Sequence, residues 1–142
     1  MATTAEENSW NESIMADFRA HGGQITEGRL KGAAVLLMTS IGARSGLPRI
    51  APVAYHRDGS SYVIVGSNSG RDDQPTWLEN IRRNPVVTVE VDNEKFQARA
   101  RITEGTERRR LLDARIAAIP QFGEYEKMTT RELPVIRLDR IE

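Results

Sequence analysis

Arg44, Ser45 and Arg49 stand close together in the stretch Thr39 to Ala54, TSIGARSGLPRIAPVA, with Gly42 and Gly46 on either side of the first two. Two guanidinium groups and a hydroxyl are donors suited to phosphate or carboxylate, and the glycines free the backbone to curl so that its N–H groups can point at one spot. Two readings follow: an anion cradle between two strands, or an exposed basic hairpin loop. One short Gly/Arg/Ser loop does not choose between them. Ser67-Asn68-Ser69-Gly70 ends an apolar run with small polar groups, which suits a planar, hydrogen-bonding ligand edge or an ordinary turn. Pro75-x-Trp77-x-x-Asn80 puts an aromatic ring and an amide on one helical face, where Trp77 serves either the core or a ligand wall. Tyr125 follows Phe122 by three residues, so both fit one side of a helical turn. A phenol there can donate a proton or simply pack.

Other chemistries find no support. The chain has no cysteine, which removes disulfides, thiolate metal sites and thiol nucleophiles, and His21 and His56 are its only imidazoles, so no metal centre is expected. Neither histidine has an acid or nucleophile nearby in sequence, and both are read as structural or exposed. No Ser-His-Asp triad, Walker loop, dinucleotide fingerprint or carboxylate pair is visible. With 20 basic and 20 acidic residues the net charge is zero, which argues against a general grip on nucleic acid or anionic membrane. The cluster Arg108-Arg109-Arg110 is read as a solvated helix face. The start, MATTAEENSWNESI, is acidic and lacks a signal-peptide pattern, and no apolar run approaches a membrane span, so the expectation is a soluble cytoplasmic protein.

The elements that must position these residues can be traced along 142 residues, enough for one domain with its own core. Residues 1–8 read as disordered. Ser9-x-x-Glu12 has capping-box spacing, Trp10, Ile14 and Phe18 follow at helical intervals, and Gly22-Gly23 is a stop, so a helix is predicted from residue 9 or 10 to 21. Its apolar stripe covers the core, or else forms a lid whose Trp10 and Phe18 touch a ligand. Strands are predicted over 33–40 and 49–57. Asp58-Gly59 turns the second into a partner at 61–67. Pro75 opens a short helix that Asn84-Pro85 ends. Two further strands, 86–91 and 96–102, flank Asp92-Asn93 with Phe96, Ala98 and Ala100 on one face. A helix over 108–119, with Leu112, Ile116 and Ile119 inward, precedes a last strand at 134–138. Five or six short strands joined mainly by hairpins exclude a regular βαβ wrap and favour an α+β fold, an antiparallel barrel-like sheet with peripheral helices.

Taken in order, FRAHGG, TSIGARSGLPRIAPV, DGSSYVIVGSNSG, PTWLENIRRNPVVTVEV, FQARARITEG and YEKMTTRELPVIRL span nearly the whole chain from Phe18 onward. Their order and spacing resemble the deazaflavin-dependent nitroreductase family, actinobacterial reductases that use coenzyme F420, within the flavin-binding split-barrel superfamily. The resemblance implies a split β-barrel in which reduced deazaflavin lies in a groove and passes hydride to an activated acceptor: a quinone, a nitroaromatic or an unsaturated carbonyl. Arg44, Ser45 and Arg49 would meet the coenzyme's phosphate and the start of its oligoglutamate tail, and Pro52 and Val53 would back the ring. Ser67, Asn68 and Ser69 would line the ring's polar edge, Trp77 and Asn80 would close the neighbouring wall, and Tyr125 would face the substrate, with Trp10, Phe18 and Phe122 on the same side.

Two departures concern tuning. The family often has a lysine where this chain has Asn68, a loss that Arg71 could offset, and many relatives have a second tyrosine at Phe122. Rival expectations are an FMN-dependent oxidoreductase on the same barrel and a non-catalytic deazaflavin or tetrapyrrole carrier. The expected partner is a small-molecule electron acceptor, without nucleic acid or stable membrane insertion, and the expected state is a monomer or homodimer.

Overall fold

The computed structural model describes residues 5–28 and 30–141, with the side chains of residues 5–9 and of Ser69 outside that description. Six strands form it: β1 (Val35–Ile41), β2 (Pro48–Asp58), β3 (Ser61–Val65), β4 (Val86–Val91), β5 (Glu94–Ile102) and β6 (Val135–Arg140). They close a barrel in the order β1-β2-β3-β6-β5-β4, every pair antiparallel. Closure removes the free edges that an open sheet would leave for stray pairing. The hairpin at Asp58-Gly59 forms as expected, and the Asp92-Asn93 turn uses a left-handed Asp92 with φ 52°.

Strand alternation divides the apolar residues into three cores. Leu36 and Met38 of β1, Ile64 of β3, the β4 valines, Phe96, Ala98 and Ala100 of β5, and Ile136 and Leu138 of β6 fill the interior. The intervening residues face outward and are covered by helices. Val35 and Leu37 pack under Ile14 and Phe18 of α1 (Ala5–Ala20), with Ile25. Val63, Val65 and Val135 pack under Leu111 and Leu112 of α3 (Gly105–Ala118), beside α4 (Gln121–Met128). This explains why β1 and β3 read as continuous apolar runs: both of their faces are buried. The fourth helix, α2 (Thr76–Arg83), closes the barrel with Leu78 and Ile81. Strand β2 differs, because no residue in it is fully buried. Among the described residues no helix is long and apolar enough to cross a membrane.

Several expectations need correction. The first helix starts at Ala5, so residues 5–8 belong to it, while 1–4 lie outside the described residues. In α3, Leu111, Leu112 and Arg115 face inward, whereas Ile119 is 42% exposed beyond the helix end. Arg108 is not on a solvated face. It is buried and donates through Nε (3.0 Å) and Nη2 (2.8 Å) to the Leu133 carbonyl. Apolar spacing does not reveal this stripe, because the stems of Arg108 and Arg115 share it with Leu111 and Leu112.

Candidate functional site

The β1–β2 hairpin sets Arg49 opposite Ser40 and carries Gly42–Leu47 at its tip. The Gly42 N–H donates to the Leu47 carbonyl (2.8 Å), and the Gly46 N–H donates to the Gly42 carbonyl (2.9 Å). The turn is so tight that a Cβ on Gly42 would sit 2.5 Å from Ser45 Oγ, so a side chain there would collide. Asn80 of α2 supports the tip from inside: its Oδ1 accepts the Ala43 N–H (2.9 Å) and its Nδ2 donates to Ser40 Oγ (3.2 Å). Ser45 Oγ accepts from the Leu47 N–H (3.1 Å) and Arg49 Nη2 (3.4 Å). The N–H groups of Gly42, Ala43, Gly46 and Leu47 are therefore engaged within the protein, whereas those of Arg44 and Ser45 donate to no acceptor among the described residues. What the loop offers an anion is its exposed Arg44 and Arg49, the Ser45 hydroxyl and the main-chain N–H groups of Arg44 and Ser45.

The second loop, after β3, is organised differently. Ser67 leads into a single 3₁₀ turn over Asn68–Gly70, with Asn68 in the left-handed region at φ 48°. Asn68 Nδ2 donates to the Asp73 carbonyl (3.0 Å), so its amide is turned into its own loop. Arg131, a residue with no part in the sequence-based site, donates to the carbonyls of Gly66 (3.1 Å), Ser67 (2.8 Å) and Arg71 (2.9 Å) and to Gln74 Oε1 (2.8 Å). Thr129 Oγ1 donates to Asp72 Oδ1 (2.8 Å). Met128 covers Gly70, where an added Cβ would meet its sulfur at 2.7 Å. Burial holds the Arg131 guanidinium below its ordinary pKa, against the raising effect of Asp73 and Asp72.

The remaining expected residues divide between wall and core. Val53 on β2 contributes to the interior core, and Pro52, directly opposite Leu37, is half-buried on the strand's other face. Trp77 is half-buried and packs against the interior core, the structural alternative weighed for it. Phe18 is 3% exposed and packs in the α1 core, the structural alternative weighed for it, and it contributes to the lining of a depression beside Gly23 and Asp92. Trp10 is 41% exposed. On α4, Phe122 and Tyr125 meet edge to face at 5.5 Å and both lie against the α3 core. Asn80 has both amide atoms occupied, which makes it a strut for the tip. Ser67 is buried to 9% exposure, and the Ser69 side chain lies outside the described residues.

Beneath α4 lies a buried polar pair that no motif announced. Arg115, fully buried, donates through Nε to His56 Nδ1 (2.9 Å) and through Nη2 to the Val63 carbonyl (2.9 Å), and its guanidinium stacks 4.7 Å from the Phe122 ring centre. Burial pulls the Arg115 guanidinium down to about 10. Burial, reinforced by Arg115, pulls His56 down to about 4 despite Asp58, so the imidazole is neutral and accepts at Nδ1. At the open end of the same strand, hydrogen bonds from Arg110 and Arg137 hold Asp58 down to about 2.

Two depressions mark the described surface. One of about 470 Å³ lies among Arg82, Thr103, Glu104 and Glu132, and one of about 170 Å³ lies beside Gly23 and Asp92. Neither is lined by Arg44, Arg49 or Ser67.

The arrangement has known counterparts. The family model described as F420H(2)-dependent quinone reductase matches residues 10–139. An F420H(2)-dependent quinone reductase of Mycobacterium tuberculosis is 31% identical over 135 residues, 88% of this chain and 86% of that protein. A solved F420-H2 dependent reductase superposes with a TM-score of 0.69 at 31% identity, over 75% of this chain and 94% of the other. Another structure, described as a domain-swapped dimer, gives a TM-score of 0.71 at 27% identity, over 94% and 99% of the two chains.

Proposed function

This chain belongs to the F420H(2)-dependent quinone reductase family, and from that membership we propose that it binds reduced coenzyme F420 between its two loops and reduces a quinone-type small molecule docked beside α4. When bound, the reduced deazaflavin supplies a hydride to the acceptor.

The residues present fit such a coenzyme. Arg44 and Arg49 stand exposed on a tip that the Asn80 amide holds in place, so they can meet a phosphate and the first charges of an oligoglutamate tail. Guanidinium donors suit phosphate geometry, and the Ser45 hydroxyl can donate beside them. Ser40, two residues before the tip, is 1% exposed, so the anion end is anchored to a buried strand end. Pro52, half-buried on β2, offers an apolar backing for a flat ring, and the loop from Ser67 supplies polar groups for the ring's edge. Phe122 and Tyr125 offer an aromatic wall that excludes water from the acceptor's side. Tyr125 is the side chain proposed to hand on a proton, and Trp10 the proposed outer contact.

The single observation that carries this reading is the tip itself. Four of its backbone N–H groups, those of Gly42, Ala43, Gly46 and Leu47, hold its shape, while its two cations are left outside. A merely structural hairpin has no need of both.

The test is a fluorescence titration with deazaflavin and FMN in parallel, followed by anaerobic mixing of the loaded protein with a soluble naphthoquinone. Tighter binding of deazaflavin, weakening with salt and requiring the glutamate tail, together with oxidation of the coenzyme by the quinone, is the expected outcome. Equal or tighter binding of FMN would move the chain to the flavin rival. Binding without reduction of any quinone would make it a carrier.

A further inference from the structure

Arg131 makes four hydrogen bonds to the loop after β3, three of them to main-chain carbonyls. Two of those carbonyls, Gly66 and Ser67, are consecutive. In a trans peptide the C=O of one residue and the N–H of the next point in opposite directions across a rigid plane. A guanidinium that gathers the Gly66 and Ser67 oxygens on one side therefore turns the Ser67 and Asn68 N–H groups to the other. The backbone angles agree: Ser67 is right-handed (φ −71°, ψ −31°) and Asn68 left-handed (φ 48°), the alternation that aligns successive N–H groups into a small concave nest. The Gly70 and Arg71 N–H groups close the turn onto the Ser67 and Asn68 carbonyls, at 2.9 Å and 3.1 Å. Ser67 and Asn68 donate their own main-chain N–H to no acceptor among the described residues.

The same arginine follows directly on the segment that ends α4. Met128 lies over Gly70, and Thr129 bonds Asp72, so the chain from Met128 to Arg131 clamps the loop along its length. The aromatic wall of α4 and the nest are thereby one unit.

We propose that Arg131 is a positioning residue. By holding the Gly66 and Ser67 carbonyls it aims the Ser67 and Asn68 N–H pair at the carbonyl-bearing edge of the deazaflavin ring, and it fixes that edge relative to the wall on α4. The inference rests on the coenzyme reading above and deepens it. Two backbone donors aimed at a ring oxygen favour the ring's anionic form, because the reduced, deprotonated pyrimidine edge gathers negative charge there. The nest thus does what the exposed arginines cannot: it selects an orientation, and it does so with groups that neither titrate nor move.

The experiment compares the wild type with Arg131→Ala, Arg131→Lys and Lys127→Ala, the last removing an exposed cation from the neighbouring end of α4. Three quantities are read: the deazaflavin Kd, the apparent pKa of the bound reduced coenzyme from its absorbance, and the thermal midpoint. Arg131→Ala is expected to weaken binding about 10- to 100-fold, as loss of charge-assisted support does elsewhere, and to raise the bound coenzyme's pKa. Millimolar guanidinium should restore part of both. Arg131→Lys, whose compact ammonium cannot span the four acceptors, should recover less than half of the loss on a logarithmic scale. Lys127→Ala should stay within about twofold, since an exposed ion pair contributes little.

In the wild type, the Ser67 and Asn68 amide resonances should shift on adding deazaflavin, a measurement that stands even where the alanine variant does not fold. Unmoved amides in a protein that binds the coenzyme, or a folded Arg131→Ala enzyme with unchanged Kd and pKa, would overturn the positioning role and leave the function intact. An equal loss in Lys127→Ala would reduce the effect to net charge and overturn it too. A wild type that fails to bind deazaflavin would sink the function itself.

Discussion

The two loops that face the proposed coenzyme use arginine in opposite ways. On the β1–β2 tip, Arg44 and Arg49 extend into solvent and only Arg49 touches the loop, through a long 3.4 Å contact with Ser45. On the loop after β3, Arg131 is half-buried, with its guanidinium committed to four acceptors. The difference separates attraction from orientation. Hydrated, mobile cations can find a long anionic tail, but they hold no geometry of their own. A guanidinium spent on main-chain carbonyls contributes no attraction, yet it fixes where neighbouring N–H groups point. Asn80 stands between the two modes. It locks the backbone of the exposed tip without touching its cations.

The largest effect that would break this comparison comes from Asn80. Asn80→Leu keeps the volume but leaves the Ala43 N–H and the buried Ser40 hydroxyl without their partner. The expected cost is about 2 kcal/mol of stability by denaturant titration, with deazaflavin binding weakened because the tip loses its strut. Unchanged stability would mean that the tip is not locked through the amide, and the distinction between its rigid backbone and mobile cations would go.

The double variant Arg44→Ala/Arg49→Ala sharpens the contrast from the other side. Both side chains are exposed, so the thermal midpoint should hold. Deazaflavin binding should weaken about tenfold at low ionic strength, and its salt dependence should flatten. The same protein should retain the bound coenzyme's pKa, since the nest is untouched. A lost thermal midpoint or an unaltered salt slope would show that these arginines serve the hairpin and not an anion.

How much of this was legible in the sequence depends on the range of the interactions. The barrel was legible because apolar runs, period-two alternation and hairpin turns are local: β1 and β3 fall on apolar runs, and β4 and β5 fall where alternation places them. The tip was legible as a cluster of types, Gly-Ala-Arg-Ser-Gly, although its Ala43 N–H is held by Asn80, a residue 37 positions away. Arg131 was not legible. It sits 65 positions from Gly66, and a lone arginine before a strand looks the same whether it faces water or four acceptors. Arg115 was hidden likewise, since the Arg/Leu spacing of α3 does not say which arginine stem points inward. Phe18 shows the converse: an aromatic at helical spacing fits a core stripe or a ligand lid alike, and here it packs with Val35 and Leu37 of β1.

The smallest effect tests whether the inward side can be loosened without disturbing the tip. His56 takes its hydrogen bond from Arg115 only as a neutral ring, and the folded protein holds its pKa down to about 4 through burial first and the facing Arg115 second, with Asp58 opposing. The unfolded chain titrates near the ordinary histidine value of about 6.5, so the unfolded state takes up the proton first as pH falls. The stabilising contribution is therefore complete above that value, declines as pH falls toward about 4, and is spent below it. Protonation would set an imidazolium against Arg115 beneath Phe122, on the wall side and away from the tip. The thermal midpoint should fall modestly over that window and flatten in His56→Gln, whose amide oxygen can take the Arg115 bond at every pH. Hydrogen exchange should rise in β2, β3 and α3 while the Gly42–Leu47 amides remain unchanged. If the tip loosens in step with the wall, the two loops are one cooperative unit and the division of labour between them is wrong.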